Sequence, residues 1–143
     1  MKFKLLASQE ILQLRQKVLR PGKPIESCYF ENDDIESTQH LGAFFEDKLV
    51  GIISLFKNRH HLFKTQNQIQ LRGMAVEPDN QKKGFGQKLL CEAIKSTKSN
   101  DLIWCNARVS ASTFYEKNGF VKASDVFNIE NVGLHVVMKY IRK

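Results

Sequence analysis

The stretch "LRGMAVEPDNQKKGFGQKLLCEAI", Leu71 to Ile94, carries three signals in succession. An apolar run of strand-forming character ends at Pro78, and a polar turn then holds Lys82, Lys83 and the glycine pair Gly84 and Gly86. After it, Leu89, Leu90, Ala93 and Ile94 fall at helical spacing, with Lys95 and Lys98 toward the far end. The spacing predicts strand, tight loop, helix. A helix entered in this way leaves several backbone N–H groups without partners and aimed at one spot, where the helix dipole also favours negative charge. Gly84 and Gly86 let an anion approach the backbone without a Cβ in the way, and Lys82 and Lys83 supply charge at the rim.

Two common nucleotide loops are excluded by the residues after the glycines. Beyond Gly86 the chain reads Gln87-Lys88-Leu89, so the Gly-Lys-Ser/Thr triplet of a nucleoside triphosphate loop is absent. A dinucleotide fingerprint needs glycine or alanine at position 89, where Leu89 stands. A glycine pair that serves only a turn is the competing reading.

Outward toward the N-terminus, "SQEILQLRQKVLRPG" places Ile11, Leu14, Val18 and Leu19 on one helical face, with Ser8 positioned as cap and Pro21-Gly22 as stop. Lys23 to Gln39 is polar and without period, and reads as a loop with a short helical turn, long enough for a substrate-side loop or lid. Its Glu26, Glu31, Asp33, Asp34 and Glu36 either steer a cationic ligand or form a solvated charge run. "HLGAFFE" and "KLVGIISLFKN" predict a hairpin about Asp47. Outward toward the C-terminus, "LIWCNA" predicts a strand and "SASTFYEKNGF" a short helix with a left-handed residue at Gly119. "VFNIENVGLHVVMKYI" predicts two strands about Asn131. The order is β-α-β-β-β-α-β-α-β-β, a mixed sheet with helices against it.

With 143 residues and no repeat or low-complexity linker, the chain reads as one domain spanning 1–143. Three cysteines without C-x-x-C spacing suggest neither a disulfide framework nor a cysteine zinc site, and fit a reducing cytoplasm. No metal is expected, since His60 and His61 have no third ligand at metal-site spacing. No run is long and apolar enough for a bilayer, so no membrane partner is expected. A net charge of +7 suits an anionic partner, but the basic residues are spread out and lack the aromatic interleaving of a nucleic-acid binder.

Two motifs together resemble the GNAT superfamily of N-acetyltransferases. Gln81, Gly84 and Gly86 match its Gln/Arg-x-x-Gly-x-Gly/Ala acetyl-CoA motif, and Ala111, Tyr115, Gly119 and Phe120 in "ASTFYEKNGF" match its second signature. The order of elements agrees from end to end. "WCNARVSASTFYEKNGF", "LRQKV" and "LHVVMKY" are nearer to an uncharacterised bacterial subgroup than to ribosomal-protein or aminoglycoside acetyltransferases.

The resemblance implies an α/β (α+β) fold: a mixed, mostly antiparallel sheet of about six to seven strands, about four flanking helices, and a splayed central strand pair at the coenzyme A site. It implies acetyl-CoA as cosubstrate, a primary amine as acceptor, direct transfer, and allows a homodimer. A coenzyme A-binding module without turnover is the alternative.

By the same resemblance, Gln81, Lys82, Lys83, Gly84, Phe85, Gly86 and Gln87 form the pyrophosphate loop. Met74, Ala75 and Val76 form the strand edge that pairs with pantetheine amides. Many relatives have Asn seven residues before the tyrosine; Arg108 stands there in this chain, with Asn106 two residues earlier, and both are assigned to the cofactor side.

Acetyl transfer needs a neutral amine, a stabilised oxyanion and a proton for the leaving thiolate. Tyr115 is the expected proton donor, with packing at the sheet edge as its competing role. The resemblance implies a backbone N–H near Met74 or Ala75 as the oxyanion donor. No acid lies between Gln66 and Val76, which removes the simplest Glu base. His135 is then a candidate to take the amine proton or to hold a substrate carboxylate, with water as the other base and a purely structural histidine as the competing reading. Arg72 binds an anionic substrate group or forms an outward salt bridge. Gly73 marks a bulge or is a plain strand glycine.

Overall fold

The computed structural model describes residues 1–142. It contains two compact units, Met1–Phe56 with Arg72–Thr97, and Lys57–Leu71 with the chain from Lys98 onward. The first unit holds β1 (Lys2–Leu6), α1 (Ser8–Leu19), β2 (Gln39–Phe45), most of β3 (Lys48–Lys57), the second half of β4 (Gln68–Val76) and α2 (Phe85–Lys95). Its strands follow the order β1-β2-β3-β4. β2 and β3 form the expected antiparallel hairpin. Glu46 and Asp47 at its tip have φ of 52° and 64°, the left-handed pair that lets a two-residue turn match the twist of the strands.

Helix α1 forms where its apolar spacing predicts, and buries Ile11 and Leu14 against Ile52 and Ala75. Its start differs from expectation. Ala7 is the N-cap, and the Glu10 carboxylate accepts the Ala7 N–H at 2.9 Å. The Ser8 hydroxyl donates instead to Asp34. That hydroxyl is spent on a tertiary contact because Glu10 already serves the first turn. The apolar stripe also carries Arg15, which is completely buried.

The second unit holds the first half of β4, β5 (Leu102–Arg108), α3 (Ser112–Lys117), β6 (Phe120–Lys122), β7 (Phe127–Ile129) and β8 (Gly133–Tyr140). Its order is β4-β5-β8-β6, and β7 also pairs with β8. β4 and β5 run parallel, Gln68–Leu71 beside Leu102–Cys105, while β8 is antiparallel to β5, β6 and β7. Strand alternation sends Ile69, Leu71, Ile103 and Cys105 to one face and Gln68, Gln70 and Trp104 to the other.

Two buried glutamines on the second face are compatible with burial because each is paired. Gln68 donates to the carbonyls of Phe63 and Thr65 and accepts the His60 N–H, and Gln70 accepts from Asn58 Nδ2 at 2.8 Å. Trp104 Nε1 donates to the Asn58 carbonyl. These bonds fix the segment between β3 and β4 onto that face.

The described residues thus contain eight strands and three α-helices in a mixed, mostly antiparallel arrangement. The strand beyond the expected order is β6, whose three residues are too few to show a period. The short helical turn expected in the polar loop is a 3-10 turn, Ile25–Cys28, rather than another α-helix.

Candidate functional site

Gly84 is the N-cap of α2, with φ 80° and ψ 4°, and no side chain caps the helix. The Lys88 N–H makes the first intrahelical bond, to the Gly84 carbonyl at 3.2 Å. The N–H groups of Gly84, Phe85, Gly86 and Gln87 therefore precede the helical hydrogen-bond ladder. A Cβ built on Gly84 meets no atom within 4 Å, so the approach to these donors is open. Lys82 (φ 62°) and Lys83 are exposed beside it. Consecutive N–H groups, an open face and two lysines fit a diphosphate.

Two residues of this loop brace it. The Phe85 ring is buried and lies 5.1 Å from the Phe45 ring. Gln81 Nε2 donates to the Val76 carbonyl at 2.9 Å, tying the loop to the end of β4. The expected pantetheine strand and the expected pyrophosphate loop are thereby joined within one unit. Gly86 is half-buried and Gln87 exposed.

Along β4 the burial changes at one point. Gln68 to Leu71 are buried, whereas Arg72, Gly73, Met74 and Val76 are half-buried and Ala75 is buried in the core beneath α1. The register with β5 ends at the same place, Leu71 opposite Cys105. Gly73 has φ 63°, so it interrupts the extended strand instead of continuing it. A Cβ there would stand 3.1 Å from the Phe30 ring and 3.3 Å from Arg15 Nε.

Those two neighbours belong to a cluster that sequence reading did not assemble. Arg15 Nη1 donates to Asp33 Oδ2 and to the Cys28 carbonyl, both at 2.7 Å, while Nη2 reaches Asp33 Oδ1 at 3.3 Å and Ser54 Oγ at 3.1 Å. His40 bridges Ser54 and the Asp33 carbonyl. The Arg15 guanidinium lies 3.8 Å from the centre of the Phe30 ring, and that of Arg72 lies 4.3 Å from it. Asp33 is therefore a buried counterion of Arg15, and Asp34 accepts from Ser8. Asp33 is thus withdrawn from the acidic run, whereas Asp34 stays exposed while accepting from Ser8. The available signal was a charged residue inside the apolar stripe of α1.

In the second unit, Tyr115 lies on α3, edge-on to Phe114 and Phe120 with ring centres 5.3 Å away in each case. Burial, and secondarily Cys105, pushes its hydroxyl above the ordinary phenol value, so the group stays protonated at neutral pH. Asn106, Arg108 and His135 share the face of the β5–β8 ladder opposite Cys105, with Arg108 directly across from His135. His135 is buried and its Nδ1 lies 2.8 Å from the Gly133 carbonyl oxygen. A carbonyl only accepts, so Nδ1 carries a hydrogen and donates to it. His60 and His61 stack on one another at 4.5 Å, and His60 also meets Trp104 edge-on.

A family model described as an acetyltransferase (GNAT) domain matches residues 23–141. The uncharacterised N-acetyltransferase YitI of Bacillus subtilis (strain 168) is 29% identical over 140 residues, covering 96% of this chain and 94% of YitI. The fold is similar to that of Escherichia coli ElaA, with a TM-score of 0.75, 17% identity and coverage of 98% and 99% of the two chains. It is also similar to an aminoglycoside 6'-N-acetyltransferase complexed with coenzyme A, with a TM-score of 0.71, 17% identity and coverage of 100% and 99%. The chain belongs to the GNAT family and is an N-acetyltransferase.

Proposed function

We propose that this enzyme carries an acetyl group from acetyl-CoA directly to a primary amine of a small molecule or peptide. The observation that carries the cofactor side is the uncapped glycine turn at Gly84, whose donors face open space where a side chain would otherwise stand. Backbone N–H groups from Gly84 to Gln87 hold the diphosphate, with Lys82 and Lys83 adding charge and Gln81 and Phe85 bracing the loop. Met74, Ala75 and Val76 offer backbone groups to the pantetheine amides, and Asn106 and Arg108 are assigned to the cofactor side by the family resemblance. Bound acetyl-CoA would supply an activated thioester.

Tyr115 then gives its proton to the departing sulfur, a role supported by its place in the second family signature and by a phenol that is protonated at neutral pH. A backbone N–H at Met74 or Ala75 stabilises the oxyanion. His135 Nε2, or water, takes the amine proton. Arg72 holds an anionic group of the acceptor. Both units serve as one catalytic domain, a reading supported by β4, which runs through both, and by a family match that crosses both.

Acetyl-CoA should raise the melting temperature, because a ligand that binds only the folded state stabilises it. Gly84→Val should remove that rise, since valine disfavours the left-handed backbone and its side chain fills the approach to the donors. Normal acetyl-CoA binding by a folded Gly84→Val protein would assign the cradle elsewhere.

A further inference from the structure

The stack of Arg15, Phe30 and Arg72 contains one cation too many. The Arg15 guanidinium is neutralised by both oxygens of Asp33. Arg72 lies against the same Phe30 ring, with Phe56 at 5.4 Å, yet makes no hydrogen bond or ion pair among the described residues. It is half-buried, and burial together with repulsion from Arg15 disfavours its charge. A guanidinium keeps its charge in proteins even so. Arg15 Nε is a further buried donor with no partner, beside Gly73.

The Arg72 guanidinium lies over two aromatic rings and its N–H groups have no protein partner among the described residues, which leaves its fork available to a planar, two-oxygen acceptor. Arg72 stands on the same strand as Met74, two residues before it, so a group held by Arg72 lies in the neighbourhood of the proposed oxyanion donor.

We propose that the acceptor of this enzyme is an amine that also carries a carboxylate, and that Arg72, seated over Phe30 and Phe56, is the residue that recognises it. This rests on the acetyltransferase reading. Free amino acids and peptides with a terminal or side-chain carboxylate share this chemistry, and the source is decided by the test.

The test is equilibrium binding by calorimetry to the full chain in the presence of coenzyme A. The probes are α-amino acids, β- and γ-amino acids and short peptides, each compared with its carboxamide. At least one acid should bind tenfold or more tightly than its amide, the usual scale for a charge-assisted pair. Arg72→Gln should bring that ratio close to one, and Arg72→Lys, which keeps the charge but loses the fork and the stack, should restore only part of it. Equal binding of acids and amides across the panel, absence of binding included, overturns the proposal in the wild-type protein alone. Survival of the ratio in a folded Arg72→Gln protein overturns it as well. A thermal shift with acetyl-CoA and release of coenzyme A report separately on the acetyltransferase reading: turnover of acids and amides alike keeps that reading and ends the carboxylate proposal, whereas selective binding of acids without any response to acetyl-CoA does the reverse.

Discussion

The segment from Phe30 to Asp34 and the loop from Gln81 to Gln87 are both short, polar and charged, and they spend their polar groups in opposite ways. In the first, Asp33 binds Arg15 and also accepts the Phe30 N–H at 2.7 Å, and Asp34 takes the Ser8 hydroxyl. In the second, the Gly84 to Gln87 donors have no side-chain cap and Lys82 and Lys83 stay exposed. A loop whose groups are satisfied internally is framework. A loop whose donors are left to water is ready to exchange that water for a ligand.

The largest test of this contrast is Asp33→Ala. Removing one partner of a buried pair leaves the Arg15 charge uncompensated, at a cost of about 3–5 kcal/mol. Urea unfolding should show that loss, whereas Lys83→Ala should stay within about 0.5 kcal/mol of the parent. The double change Arg15→Met with Asp33→Leu should recover most of the stability, since an apolar pair of similar volume removes the buried charge altogether. A small loss in Asp33→Ala would put this segment in the same class as the glycine loop.

The next effect lies in catalysis. Tyr115→Phe keeps the ring and its contacts with Phe114 and Phe120 but removes the proton, and kcat should fall on the order of a hundredfold, the scale of a general acid. The acetyl-CoA thermal shift should remain. A weaker shift with kcat preserved would make Tyr115 part of the framework.

Alkaline pH separates the two kinds of group by another route. Burial pushes the Cys105 thiol from its ordinary 9.0 up to about 12. Below pH 9 the folded and unfolded chains both keep this proton, so the group adds no pH dependence. Between pH 9 and 12 the unfolded chain releases it and the folded chain retains it, so stability falls as pH rises, by at most about 1.4 kcal/mol per unit. Tyr115, raised above 10.0, contributes in the same direction at higher pH. Unfolding measured from about pH 8 to about pH 10.5 should show a flatter alkaline limb in Cys105→Ala than in the parent. Parallel limbs would mean that Cys105 opens to water before the chain unfolds.

The strand, glycine turn and helix around Gly84 and Gly86 were legible in the sequence because the apolar periods on either side are both clear. Tyr115 and Gly119 were legible for the same reason, each at a fixed offset in a short helix with a left-handed end. The Arg15 cluster was not. Its members, Arg15, Phe30, Asp33, His40, Ser54 and Arg72, come from five places in the chain, and only tertiary packing joins them. The five acids between Glu26 and Glu36 read as one electrostatic feature, although Asp33 is withdrawn from it by a partner far away in sequence. A formal charge count carries no information about which charges are already neutralised.

The smallest effect tests whether the glycine loop is free of structural duty. Lys82 has φ 62°, a conformation that costs a non-glycine residue about 1 kcal/mol. Lys82→Gly removes that strain but adds freedom to the unfolded chain, offsetting roughly half of the gain. The net expectation is a stabilisation of about 0.5 kcal/mol, read as a small rise in urea midpoint without acetyl-CoA. Affinity for acetyl-CoA should move the other way, by a few-fold, because an exposed charge near a phosphate contributes modestly and is screened by salt. Raising the ionic strength should therefore narrow the difference in affinity and leave the difference in stability unchanged. Opposite signs of the two effects keep Lys82 on the ligand side of the contrast. Loss of stability together with affinity would make its side chain part of the framework, and the contrast between the two loops would then rest on the Gly84 turn alone.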